Sequence, residues 1–124
     1  MIGFTLSSDQ LNQDDLSDSS FQTSIESLCS TDRNECIRGE SSFGNIFERN
    51  GLGTAYPSLL NPKPEGRTFF SGGYIVRHYS SKINAIQAEL AYSTRMGPDA
   101  YENAQQFAQT IVEYMKKYNL LKSR

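Results

Sequence analysis

The sequence predicts an α/β fold, and three observations carry that prediction. Apolar residues alternate in Ile2-Gly3-Phe4-Thr5-Leu6, as on a half-buried strand. Two further strand-like runs, 74–79 and 83–90, are separated by only Ser80-Ser81-Lys82, which suits neighbouring antiparallel strands or a hairpin. Beyond Pro98, the residues Ala104, Phe107, Ala108, Ile111, Met115 and Tyr118 recur at spacings of three and four, forming one face of a helix over 99–119.

The remaining segments follow in chain order. Residues 7–20 are rich in Ser, Asp, Asn and Gln, with only Leu11 and Leu16 apolar, and read as loop or a weakly anchored short helix. Phe21, Ile25 and Leu28, behind the caps Ser19 and Ser20, predict a short amphipathic helix to Ser30. A second is predicted where Ser41 can cap a stripe of Phe43, Ile46 and Phe47 and Gly51 can end the helix in the left-handed region. Residues 52–71 contain Pro57, Pro62 and Pro64 among glycines and serines, a composition that makes a long surface loop. Asp99 can cap the closing helix, and Lys116 and Lys117 complement its dipole in the last turns.

A chain of 124 residues makes about one domain, 1–124. Its 37% hydrophobic content is low for a complete core, and the strand that begins at Met1 without a lead-in element points to an incomplete domain. A net charge of −2 provides no broad electropositive surface, which makes nucleic acid a poor partner. No basic stretch followed by an apolar run opens the chain, and no apolar run is long enough for a membrane span, so a cytoplasmic protein is expected. Cys29 and Cys36 match no common zinc spacing and are too sparse for a disulfide scaffold, so they are expected to be ordinary thiols.

Chemistry concentrates in the two central strand candidates. On a strand over 83–90, Gln87 and Glu89 share one face while Ile86, Ala88 and Leu90 share the other. Arg77 and His78 fall on opposite faces of a straight strand, so the chain must bend to aim both into one pocket. Gly72-Gly73 permits close backbone approach, but it precedes no helix signal and no Gly-Lys-Ser/Thr follows, which rejects a phosphate loop. Ser71, Ser80 and Ser81 lie near His78 without a Gly-x-Ser-x-Gly elbow, so a serine hydrolase is not expected.

The pattern Gly72-Gly73-Tyr74-Ile75-Val76-Arg77-His78-Tyr79, followed by Ala85-Ile86-Gln87-Ala88-Glu89-Leu90, resembles the C-terminal signature of the N-formylglutamate amidohydrolase family. The resemblance extends over about residues 62–121 and includes the entry Pro64-Glu65-Gly66-Arg67-Thr68-Phe69-Phe70 and the closing helix. It implies the C-terminal part of a zinc-hydrolase-like domain, a partial three-layer α/β/α sandwich with a mixed sheet. The implied activity is hydrolysis of the amide bond of a small acidic N-acyl (N-formyl) amino acid. In the full-length family the zinc is held by ligands that precede the matched part, so no complete site is expected here, and with a single histidine the chain alone is expected to be inactive.

By the same resemblance Glu89 is the general base and His78 a donor to the developing oxyanion. Arg77 would clamp a substrate carboxylate through its planar fork, with Gln87, Gly73 and Asn84 completing the substrate-binding set. Asn84 stands where the family commonly carries a histidine, and the interval between Tyr79 and Ala85 is shorter than the family's. Two other readings are a non-catalytic carboxylate-binding module that keeps Arg77 and His78, and an interaction protein whose closing helix docks through Phe107, Ile111 and Met115.

Overall fold

A computed structural model describes residues 1–18, 20–29 and 32–122. The elements run in the order β1 (Ile2–Gly3), α1 (Ser8–Leu11), a 3-10 turn (Glu26–Leu28), α2 (Arg33–Arg38), α3 (Phe43–Arg49), α4 (Tyr74–Tyr79), β2 (Gln87–Ala88), α5 (Tyr92–Met96) and α6 (Ala100–Lys117). The two strands pair antiparallel, Ile2 with Ala88 and Gly3 with Gln87. This is a mostly helical domain with one two-stranded ribbon among the described residues.

The expected three-layer α/β/α sandwich with a mixed sheet is therefore not formed, and the reason lies in three segments. At 74–79 the chain winds into α4, with Arg77 N donating to Gly73 O (3.2 Å) and Ser80 N to Val76 O (3.0 Å). Among the described residues no neighbouring strand is present to receive those backbone groups, and a helical turn satisfies them locally. Only Val76 of α4 is buried, so the apolar Tyr74, Ile75 and Tyr79 that suggested a strand stand on the surface. The 83–90 run keeps its extended form at Gln87–Ala88 alone, because β1 is equally short. Thr5, at φ 67°, turns the N-terminal run away, and Phe4 O accepts from Ser24 N (2.9 Å) instead of a sheet neighbour.

Between 21 and 29 the predicted helix is reduced to the 3-10 turn. Thr23 N donates to Glu26 Oε2 (3.0 Å) and Ile25 N to Thr23 Oγ1 (3.1 Å) in the manner of a cap at Thr23, while the Ser24 carbonyl that an α-helix would offer to Leu28 N accepts from Ala85 N (3.0 Å) and Leu28 N donates to Ile25 O instead (2.8 Å). Ser19 and Ser30, the proposed cap and end, lie outside the described residues. The periodicity missed α2 altogether, although Asp32 caps it by accepting from Asn34 N (2.9 Å) and Glu35 stands three residues on. The turn and α2 bring Cys29 and Cys36 together, Cα to Cα 5.4 Å, as a buried disulfide. They are not ordinary thiols.

α3 and α6 follow their sequence signals, although Asp99 makes no side-chain cap bond at the start of α6, and α5 falls where no helix is predicted. Ser42, one residue beyond the predicted cap, accepts from Asn45 N (3.2 Å) at the start of α3, and Gly51 beyond its end has φ 78°. Residues 52–71 hold no helix or strand; Glu48 Oε1 fixes their first half by accepting from Ala55 N and Asn61 Nδ2 (2.8 Å each). The core is built chiefly from the first half of the chain, with Ile2, Phe4, Leu6, Leu11, Leu16, Phe21, Ile25, Ile37, Phe43, Ile46 and Phe47 among its members, and Tyr114 joins it from the C-terminal half. Of residues 71–122 only Val76, Thr110 and Tyr114 are buried, so the C-terminal half lies over that core. No helix among the described residues is long and apolar enough to cross a membrane.

Candidate functional site

Gln87 is the hub of the polar residues singled out in the sequence. Its Oε1 accepts from Gly73 N (2.6 Å) and its Nε2 donates to Glu89 Oε1 (2.9 Å). The period-two spacing of Gln87 and Glu89 places them on one face, and the glycine at 73 lets the amide approach, since a Cβ there would lie 2.9 Å from Gln87 Oε1. One amide thus ties β2 to Gly73, the residue at the cap position just before α4, and orients Glu89, which stays exposed.

Arg77 and His78 are not gathered with that pair. Arg77 Nη2 donates to Ser71 Oγ (2.9 Å), and Arg77 forms no ion pair with Glu89 among the described residues. His78 stacks on Tyr74 at 5.3 Å between ring centroids and meets Tyr79 edge-on at 4.8 Å. The helical turn at α4 separates the two side chains that a bent strand was expected to converge. Asn84 belongs to another surface, where Ser27 Oγ donates to its Oδ1 (2.9 Å). Glu89 borders a cavity of about 490 Å³ with Tyr56, Phe70, Ser93 and Thr94, and neither Arg77 nor His78 is in its wall.

A second hollow has the opposite character. The groove between β2 and α6, about 450 Å³, has Ile86 and Ala88 on one bank, Phe107, Ile111 and Met115 on the other, Ile25, Leu28 and Phe43 beneath, and Asn84 as a polar residue at its edge. Mostly apolar walls with few polar groups are the usual make-up of a binding cavity. Both banks were legible in the sequence, one as the apolar face of a strand and the other as the apolar stripe of the closing helix. Their juxtaposition was not.

Tyr114 forms part of the groove's wall and is packed edge-on against Phe43 at 5.3 Å. Its hydroxyl is buried without a hydrogen-bond partner among the described residues, and burial, then the nearby Tyr118, pushes its pKa well above the usual phenol range. An unpaired buried hydroxyl is a cost of about 1–3 kcal/mol. Tyr114→Phe is therefore expected to stabilise the fold by about 1 kcal/mol, read as a higher urea midpoint with an unchanged slope. A clear loss of stability would mean that the hydroxyl is partnered in solution.

The donors that a zinc ion needs do not fit here. No three His, Cys, Asp or Glu residues gather among those described, the single histidine lies between two tyrosine rings, and both cysteines are joined to each other. Compared with protein-family models, curated proteins and solved structures, the chain matches none.

Proposed function

We propose that this chain is a non-catalytic interaction module that takes an apolar segment of another protein into the groove between β2 and α6. The observation that carries this is the groove itself, in which Ile111 is 40% exposed although it lies on the inward stripe of α6. Apolar surface left uncovered beside a core is the usual mark of a binding surface. The polar residues support the non-catalytic part, because Gln87, Arg77 and His78 are engaged with Gly73, Ser71 and Tyr74 and leave no acid, base and carboxylate clamp facing one space. The Cys29–Cys36 disulfide supports an oxidising compartment over the cytoplasm.

The amphiphilic dye 8-anilinonaphthalene-1-sulfonate, an apolar ring system with one sulfonate, tests the groove. It is expected to shift the methyl resonances of Ile86, Ile111 and Met115, and Ile111→Glu is expected to weaken it by about tenfold, equivalent to ~1.4 kcal/mol, by placing a charge in an apolar wall. Shifts confined to the cavity beside Glu89, with Ile111→Glu silent, would overturn the proposal.

One contact favours a second reading, that of a substrate-binding and general-base part of an N-formylglutamate amidohydrolase-like enzyme. Gln87 holds Glu89 at 2.9 Å beside a cavity, the orientation that reading asks of a general base. Its zinc donors would have to come from outside the described residues. Release of formate from N-formylglutamate by a zinc-binding protein co-purified with this chain, dependent on the chain and lost with its Glu89→Gln variant, would favour it over the interaction module.

A further inference from the structure

We infer that the segment taken up by the groove is an extended strand that adds to the outer edge of β2. This rests on the groove being the binding site and goes on to specify the chemistry of its occupant. The direction of successive backbone groups along 85–89 carries the inference. Ala85 N donates to Ser24 O (3.0 Å), and Glu89 N donates to Met1 O (2.8 Å), while Met1 N returns a bond to Glu89 O (2.8 Å). In an antiparallel ladder such a doubly bonded pair alternates with a pair whose amides point the other way. Residues 85, 87 and 89 thus face the interior partners, and the N–H and C=O groups of Ile86 and Ala88 face away from β1.

Among the described residues nothing pairs with those four backbone groups. A two-stranded ribbon is marginal by itself, and beyond the shortness that β2 already has, exposed edges are normally blunted by lysine, proline or a bulge. At Ile86 and Ala88 there is no such device. The groove lies beside this edge, with Ile86 and Ala88 on its near bank and Ile111 and Met115 on its far one. A third strand laid against Ala88 would place alternate side chains over α6. Main-chain bonds and a row of apolar pockets are the two parts of recognition by strand addition. The occupant is therefore a segment of a partner protein with apolar residues at every second position.

An acetylated and amidated heptapeptide of alternating valine and threonine is the probe, and amide hydrogen exchange of the labelled chain is the readout. In the free chain Ala88 is expected to exchange freely and Glu89 to be protected. Saturating peptide is expected to slow Ile86 and Ala88 by on the order of tenfold or more and to leave Glu89 unchanged. Two N-methylated versions, blocked on alternate residues, distinguish edge pairing from apolar contact: one should lose the effect and the other keep it. Equal binding of both, with groove methyl shifts but no slowing at Ile86 and Ala88, would overturn strand addition while leaving the groove as a binding site. Absence of groove shifts with both peptide and dye would overturn the groove as well. Slowing at Ala88 that grows with protein concentration in the absence of peptide would identify the occupant as a second copy and overturn the assignment to a partner protein.

Discussion

Replacing Arg38 with methionine is expected to lower the unfolding free energy by about 3–5 kcal/mol, a large share of the 5–15 kcal/mol typical of a domain. Arg38 is the last residue of α2 and only 7% exposed. Its guanidinium donates to Leu11 O (3.0 Å), Gln13 O (3.0 Å), Asp14 O (2.9 Å) and Asn34 Oδ1 (2.8 Å). The last carbonyls of a helix have no partner within it, and here α1 is so short that the arginine supplies one. Methionine preserves the stem's packing but leaves those acceptors unpaired, at about 1–3 kcal/mol for a buried one. Lysine should recover less than half of the loss, since a point ammonium cannot reproduce a planar fork spread over four oxygens.

The same loop gives the expected effect a pH dependence. Asn34 bonds both Arg38 and, through Nδ2, Asp15 Oδ1 (2.8 Å). Hydrogen bonds from the Ser17 hydroxyl, then from Asn34, hold the Asp15 carboxyl down to about 2 from 3.8. A depressed carboxylate pKa contributes stability in full above the unfolded value and loses it as the pH falls through the folded one. The loop's contribution is therefore expected to fade between about pH 4 and pH 2. Asp15→Asn should flatten that limb in acid titrations followed by circular dichroism.

What the sequence made legible, and what it did not, divides along physical lines. The closing helix was readable because its apolar stripe repeats over five turns, and α3 because a serine cap, three apolar residues and Gly51 agree. Run 74–79 forms a helix because Tyr, Ile and Val favour strands only when a pleated neighbour exists to pack on, and none does among the described residues. Pairing of Cys29 with Cys36 depends on a turn and a helix meeting in space, which their spacing alone does not encode. Arg38 left no trace for a related reason: three of its four partners are carbonyls 24–27 residues away, and a backbone acceptor has no sequence signature. In the candidate site, the shared face of Gln87 and Glu89 followed from strand period. Convergence of Arg77 and His78 required a bend that the chain resolves as a helix instead.

Phe43→Ala is the substitution expected to uncouple α6 from the rest of the molecule. The ring is 5% exposed and meets two α6 aromatics edge-on, Phe107 at 6.3 Å and Tyr114 at 5.3 Å between centroids. Removing a buried phenyl ring costs about 3–5 kcal/mol, because the lost transfer energy is joined by a cavity that relaxes only in part. Here the cavity would open under the groove, whose floor Phe43 helps to form. Beyond Phe43, α6 is held by the edge-on pair of Phe47 with Phe107 (6.3 Å between centroids) and otherwise by polar contacts: Asn50 Nδ2 donates to Thr110 Oγ1 (2.9 Å), Tyr118 OH to Ser41 O (3.2 Å), and Arg49 pairs with Glu113. An exposed ion pair adds at most about 1 kcal/mol, so the polar contacts cannot replace the aromatic junction. Amides of α6 are thus expected to exchange faster in Phe43→Ala by a larger factor than those of α2, and binding in the groove should be lost with them. Phe43→Leu keeps most of the apolar volume and should retain α6 protection. If Phe43→Ala instead accelerates exchange uniformly along the chain, α6 belongs to the same cooperative unit as the core, and the groove cannot loosen without the whole domain unfolding.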